Sequence, residues 1–531
     1  MIVFINLNMK PYLFVLILSL SAQMASAQTV TWSGQIADLV YKNCTSCHHA
    51  GGIAPFSMMT YQQSFNNRFK IRYAVSNKVM PPWPPDNAYR RHAFNRSLKE
   101  EDIKKFENWV DAGAPSGDLA KAPAAPVYDN LGEIKKPDLV IISPKYTLTS
   151  NIDEYRCFPD STRLTKDMWM TSLECIPGDP EIVHHVLIFR DKGVKSYTLD
   201  NRQAGPGYIC FGGAGTSDAD LIAAWVPGSG AFNLPKGFGM KIPARSNIII
   251  QVHYPAGAKG KVDQTQVKFK LTDQPQRETF LLPALNHEIS LTNGPLVIPA
   301  NTIKTFNQRF FLPFPASIIG VAPHMHLIGK SIKTWAISND LKEIPLINIP
   351  RWDFHWQGVY MFPKIQRLPA GTFLYSEAVY DNTPANHHNP NDPPKEVRVG
   401  EATTDEMMIT YFLFAQYVPG DENYIIDSTA ASLTTGNKTV EINHREIKLS
   451  PNPLSANQNL QLNFYTENQD KVEIQLFDIH GRRIWYIHKS YTSRTQESIA
   501  VPLNQLDLSN GVYFIKIQGK DWSGVEKLII N

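Results

Sequence analysis

The sequence predicts a multidomain, mainly β chain that carries one small α-helical module near its start. At 531 residues it is too long for a single hydrophobic core, and about 150 residues per domain implies three or four. Aromatic residues at 11%, with 38 prolines and 31 glycines, fit many short strands punctuated by turns. Helical apolar spacing marks residues 28–118 and gives way to β-type runs from about residue 136.

The first segment reads MIVFINLNMKPYLFVLILSLSAQMASAQ. Lys10 precedes an apolar run from Pro11 to Leu20, and Ala25-Ser26-Ala27 follows, so residues 1–27 read as a secretory signal peptide. The run is too short to span a bilayer and no later one reaches about twenty apolar residues, so no transmembrane segment is expected. A formal charge of +3 without basic clusters argues against nucleic acid as a partner. Export brings the chain into compartments where disulfides form.

Residues 28–118 form the helical module. Ile36, Leu39 and Val40 share a helical face in GQIADLVYKNC, and Ser97-Leu98-Lys99-Glu100 reads as a capping box opening a helix that buries Ile103, Phe106, Trp109 and Val110. Gly113-Ala114-Pro115 ends that helix, and residues 119–135 read as a Pro/Ala linker. Inside the module stands Cys44-Thr45-Ser46-Cys47-His48. In Cys-x-x-Cys-His two thioethers hold a haem covalently and the histidine ligates its iron, so the module reads as a cytochrome c-like domain with one covalently attached haem c. Such attachment implies a cytochrome maturation system as partner. A sixth iron ligand is expected from Met80, in the proline-rich loop Val79-Met80-Pro81-Pro82-Trp83-Pro84-Pro85, with Met58, Met59, His49 and His92 as alternatives.

From residue 136 to 435 short apolar runs alternate with Gly, Pro and Asn, which predicts two antiparallel β-sandwiches, jelly-roll-like, over 136–285 and 286–435. Two histidine clusters lie within apolar runs. Buried imidazoles require partners for both ring nitrogens, from hydrogen bonds or from a metal. His324 and His326 in VAPHMHLIGK are two apart and share a strand face. His184 and His185 in EIVHHVLIF should diverge, so they can share a metal only at a bulge or a strand end.

Together VHHVLIF, AAWVPGSGAFNLPKGFGMKI leading to IIIQVHYP, VAPHMHLIGK and TTDEMMITY resemble, in order and separation, the copper type II ascorbate-dependent monooxygenases, the family of the peptidylglycine α-hydroxylating and dopamine β-hydroxylating enzymes. The resemblance covers about residues 136–430. It implies two copper ions: one on His184, His185 and His253, storing and passing an electron, and one on His324, His326 and Met407, where O₂ binds and a C–H bond of a small organic substrate is hydroxylated. It also implies an external reductant, ascorbate or a redox protein, and matches Tyr411 to a family tyrosine near the substrate pocket. It pairs Cys157 with Cys210 in a disulfide and leaves Cys175 over as a buried thiol. Imidazole suits copper in both oxidation states, and a thioether favours Cu(I). Family residues that bind a peptide carboxylate are replaced here by Ala322 and Ile409, which argues against a glycine-extended peptide substrate. His287, His355, His387, His388, His444, His480 and His488 lie in no motif and read as surface or packing residues.

Residues 447–531, with Ser450-Pro451-Asn452-Pro453 and Gly511-Val512-Tyr513-Phe514-Ile515-Lys516, resemble the β-sandwich sorting domains of type IX secretion, found in Bacteroidota. That implies passage through the periplasm and across the outer membrane by the type IX machinery, to the medium or the cell surface. The expected function is a secreted copper-dependent monooxygenase with its own haem as electron relay. The alternative is a non-catalytic haem/copper electron-transfer or metal-binding surface protein.

Overall fold

The computed structural model describes residues 29–128, 132–211, 213–431, 443–444, 447–455, 459–466, 468–478, 483–506, 508–519 and 522–531. The signal segment and parts of the two linkers lie outside the described residues. The chain divides into a helical unit, Met1–Pro81 with Ser97–Tyr128, and a β unit, Pro82–Arg96 with Asp129–Asn531. The β content and the multiplicity of sheets make it a mainly β, multidomain chain.

In the helical unit, helices at Ala37–Asn43, Tyr61–Asn66, Arg68–Ser76 and Glu100–Asp111 enclose a core of Trp32, Ile36, Val40, Phe106 and Trp109. The face expected for the last helix is the one it buries: Ile103, Phe106, Trp109 and Val110 are all in the core. Its expected cap is not formed. The helix starts at Glu100 with Lys99 at the N-cap position and no side-chain cap bond, so Ser97 is two residues too far upstream. A capping box is found instead at Thr60, which accepts from the Gln63 backbone while the Gln63 side chain accepts from Thr60 N–H. Gly113, at φ +82°, ends the last helix as expected.

The two sandwiches of the β unit are not separate. One nine-stranded sheet carries strands of both, in the order Leu139–Ile142, Gln266–Thr272, Met168–Ile176, Phe238–Ile242, Arg277–Asn286, Ile409–Gln416, Ala316–His324 and Tyr360–Leu368, with Phe232–Asn233 pairing Met168–Ile176 off that path. The junction is a short parallel pairing, Arg277 with Phe238 and Glu278 with Gly239, within ladders that are otherwise antiparallel. A five-stranded sheet has Asn247–Tyr254 at its centre, flanked by Glu154–Ser161 and His185–Asp191. Every residue of that central strand is buried, as a strand covered on both faces requires. A four-stranded sheet (Thr302–Leu312, Thr372–Asn382, Gly329–Ile337, Glu343–Ile349) closes the second core, in which Phe306, Leu374 and Tyr380 meet Val321, Met408 and Phe412. The C-terminal module packs on this sheet through Phe477 and Phe514, whose rings lie 5.9 and 4.8 Å from Phe311.

The expected disulfide is present: Cys157 and Cys210 are bonded across 53 residues of sequence, and Gln251 Nε2 donates beside them to the Gly213 and Cys210 carbonyls. Cys175 is a buried free thiol, its pKa pushed well up by burial. Closing a loop of this length constrains the unfolded chain by about 4 kcal/mol. Replacing Cys157 and Cys210 together by Ala is therefore expected to lower unfolding free energy by about that amount, measured by denaturant titration of the oxidised parent and the variant.

Candidate metal centres

The first histidine set forms where a strand begins. The ladder of His185–Asp191 starts at His185, which stands directly opposite His253, while His184 lies just outside it with its N–H donated to His253 O at 2.9 Å. The strand end thus lets adjacent histidines converge, as their sharing a metal requires. The ring centroids of His184, His185 and His253 are 4.8–5.4 Å apart, and one nitrogen from each lies within 4.8 Å of the others. His184 Nδ1 faces His185 Nδ1 at 3.2 Å. His253 is fully buried and neither of its ring nitrogens has a hydrogen-bond partner. Its Nε2 is 3.7 Å from Asp153 Oδ2, too far for a hydrogen bond, and Tyr155 stacks on its ring at 4.1 Å. Orphaned imidazole nitrogens that converge in this way fit a cation better than they fit a hydrogen-bonded core.

The second set forms where strands end. Ala316–His324 pairs antiparallel with Ile409–Gln416, with His324 opposite Ile409 and Ala322 opposite Tyr411. The same register carried past the strand end would set His326 opposite Met407. The His324 and His326 rings are 5.1 Å apart. His324 Nδ1 bonds Gln357 Oε1 at 2.5 Å and His326 Nδ1 bonds the Asp405 carbonyl at 3.1 Å, which leaves each Nε2 for a metal. Burial holds four of these imidazoles neutral: the pKa of His184 and of His326 falls to about 3, that of His324 to about 4, and that of His185 well below the usual value.

A carboxylate absent from the expected site ties the second set together. Glu406 is fully buried and accepts from the backbone N–H of His326 and Met407 with Oε2 (2.9 and 3.1 Å) and from Ile328 with Oε1 (2.8 Å). Burial raises its pKa to about 8 against the pull of those donors. Tyr380 Oη donates to Met407 O at 2.7 Å, and Trp352 Nε1 to His326 O at 3.2 Å. An acidic residue inside the apolar run DEMMITY was the available sequence signal.

Both sets open onto one cavity of about 1060 Å³, lined among others by His185, His324, His326, Met407 and Tyr411. Ala322 and Ile409 are in its wall, so apolar side chains stand at those two positions. The Phe354 ring stacks on His184 at 4.6 Å and lies 5.7 Å from His326, between the two sets. Tyr411 is half-buried in the wall, its pKa raised to about 12 by burial. Two histidines read from sequence as bystanders belong here. His287 lines the cavity and its Nδ1 accepts from Met408 N–H at 3.3 Å, and His355 lies 6.3 Å from His184 with its pKa raised by Asp353.

In the helical unit, Cys44 and Cys47 are free thiols, not bonded to each other, and burial pushes Cys44 up to about 12. His48 Nδ1 bonds Phe56 O at 2.9 Å, leaving Nε2 free as an iron ligand requires. Met80 is half-buried in this unit, after helix Arg68–Ser76. Of its competitors, Met58 is core packing and His49 stacks on Tyr128 at 4.3 Å. His92 is in the β unit, bonded to Leu346 O and stacked on Phe362, which removes it from the iron-ligand candidates.

Residues 307–430 match the model of the copper type II ascorbate-dependent monooxygenase C-terminal domain, and 448–531 that of the secretion system C-terminal sorting domain. The chain is 22% identical over 277 residues to a tyramine beta-hydroxylase of Caenorhabditis briggsae, covering 49% of this chain and 43% of that relative, so it spans under half the relative's length. Among solved structures, a glycosyl hydrolase family 2 member from Bacteroides cellulosilyticus aligns at 9% identity and a TM-score of 0.14, covering 49% of this chain and 32% of that one. A putative beta-galactosidase from Bacteroides fragilis aligns at 10% and 0.14, covering 50% and 36%. Scores this low carry no likeness of fold.

Two outcomes are expected. The unfolded chain protonates these imidazoles near their ordinary pKa of about 6.5 whereas the fold keeps them neutral, so the unfolded state binds more protons as pH falls below that value. Stability of the metal-free protein is therefore full above about pH 6.5 and falls between there and pH 4, which thermal melts across that range will show. Replacing Glu406 by Ala leaves buried backbone donors without an acceptor and is expected to cost about 3 kcal/mol. Glu406→Gln, which keeps one acceptor oxygen, should cost less in the same denaturant titration.

Proposed function

We propose that this protein is a secreted copper-dependent monooxygenase that hydroxylates a C–H bond of a small organic substrate with O₂. The observation that carries the reading is that a cluster of three histidines, through His185, and a second set of two histidines with a methionine share one substrate-sized cavity. His184, His185 and His253 would hold one copper, and His324, His326 and Met407 the other. Copper supplies one-electron redox chemistry and activation of O₂ when bound.

The chain's own residues do the rest. Gln357 and the Asp405 carbonyl fix the ring tautomers that present Nε2, and Glu406 holds the His326 and Met407 backbones in register. The thioether of Met407 favours the reduced metal that meets O₂. Apolar walls keep water from the reacting bond, and the Tyr411 hydroxyl stays protonated as a hydrogen-bond donor. The reaction R–H + O₂ + 2e⁻ + 2H⁺ → R–OH + H₂O needs two electrons, supplied by ascorbate or a redox protein.

Cys44 and Cys47 would hold a haem c covalently with His48 and Met80 as iron ligands, a group that would supply one-electron transfer. The free thiols and the orientation of His48 support it. The sorting domain supports type IX secretion to the cell surface or medium, and among the described residues no helix is long and apolar enough to cross a membrane. A purely electron-carrying protein has no need of a cavity this size beside its metals.

Metal analysis and O₂ uptake on the reduced protein test the reading. About two coppers per chain are expected, with substrate-dependent uptake. Met407→Ala should abolish uptake and retain the copper of the histidine-only set. A chain that binds no copper, or a Met407→Ala variant that consumes O₂ like its parent, would overturn it.

A further inference from the structure

Between Pro81 and Ser97 the chain leaves the helical unit and runs through the β unit as a strap, Pro82–Arg96, before returning. It is pinned along its length. Asp86 N–H donates to Asn348 O and Ala93 N–H to Met361 O, both at 2.8 Å. Arg90 is buried, donating to Pro345 O and Gln366 Oε1 at 3.1 Å, and buried His92 bonds Leu346 O at 3.0 Å. At its far end Arg96 donates to Gly228 O at 3.1 Å, so the strap joins the second sandwich to the first. Trp83, Ala93, Phe94 and Arg96 all line the cavity that holds both ligand sets.

Phe94 is the outlier. Its backbone has φ +56°, a conformation that costs a bulky residue strain, and its N–H is held by Asp427 Oδ2 at 2.9 Å. Its ring is nevertheless 61% exposed, facing the cavity rather than a core. Glycine would suit that backbone, and burial does not explain the ring. Trp83 stands on the same strap, edge-on to Tyr360 at 5.6 Å, with its indole N–H occupied by Asn87. Arg96, the one ionic strap residue in the lining, already donates to a carbonyl, and Asp220 in the opposite wall is paired with Arg190 and Lys192. What the strap offers a ligand is therefore two aromatic rings, Trp83 and Phe94, beside the Arg96 guanidinium. The cavity volume is at the upper end of ligand pockets, roomier than a single ring requires.

We propose that Phe94 and Trp83 are specificity residues: they hold the multi-ring or similarly bulky apolar body of the substrate, while its reacting C–H bond lies at His324, His326 and Met407. This rests on reading the cavity as the substrate chamber of a monooxygenase. The strap lies outside residues 307–430, which match the copper-domain model.

The test is binding of the neutral naphthalene dye prodan to the metal-free full chain, followed by its fluorescence. Wild type should show one saturable site. Phe94→Ala and Phe94→Gly should each weaken it about 10-fold, the scale of a lost aromatic contact with its buried area. Phe94→Gly should do so while melting at or above the wild-type temperature, because glycine relieves the backbone. Trp83→Ala should weaken binding similarly, and Phe69→Ala, removing an exposed ring in the helical unit, should leave it unchanged. Wild-type affinity in folded Phe94→Gly, or no saturable site in the parent, would overturn the proposal. Because no copper is needed, failure of the copper or O₂ measurements would strike the monooxygenase reading alone.

Discussion

The second ligand set depends on one buried carboxylate. Where Ala316–His324 stops, its ladder with Ile409–Gln416 stops too, and the backbone N–H groups beyond it lose their strand partners. A buried donor without an acceptor is costly, and Glu406 supplies acceptors to the His326, Ile328 and Met407 amides at once. The two arms that carry His326 and Met407 are therefore held by the same two oxygens. Any drift of one arm breaks bonds to the other, which is how a site formed by chain ends keeps the precision that ligand geometry demands.

The first set solves the same problem differently. His185 and His253 are a cross-strand pair, fixed by the ladder itself, and only His184 needs the freedom of the strand end. The second set stands at the end of a strand in the sheet that runs through both sandwiches, the first lies on the separate five-stranded sheet, and residues of both line one cavity. The parallel pairing of Arg277–Glu278 with Phe238–Gly239 joins the sandwiches, and the Arg277 guanidinium, bonded to Asp421 Oδ2 at 2.7 Å, ties that junction to the end of the second sandwich. Phe354, stacked on His184 and close to His326, fills the space between the sets with an apolar ring.

The two histidine clusters were legible because they are local: i, i+2 spacing and adjacent histidines in apolar runs encode a face or a strand end before any fold is known. The buried face of helix Glu100–Asp111 was legible for the same reason. The capping box was misplaced because Ser-x-x-Glu fixes a cap only if the helix begins between them, and here it begins at the Glu. Gln357, His287 and the fusion of the sandwiches were not legible. Each depends on which distant strands become neighbours, and no period or motif in a single sequence states that. Glu406 lies between: its position in an apolar run signals a buried carboxylate, but its amide partners come from a loop 80 residues earlier.

The strap carries the least legible lesson, because its sequence sits inside the helical unit while its contacts belong to the β unit. The proline run that follows Met80 reads locally as a stiff loop over a haem, yet from Pro82 on it builds the wall of the cavity beside the histidine sets. Deleting residues 28–118 would therefore not remove an electron relay alone. It would also strip Trp83 and Phe94 from the cavity, empty the pocket that receives Arg90 and His92, and break the Arg96 link between the sandwiches. Loss of activity on such a deletion carries no information about the haem. The roles separate only by point changes, at Cys47 or His48 for the redox group and at Phe94 for the wall, because these touch one function each and leave the strap in place.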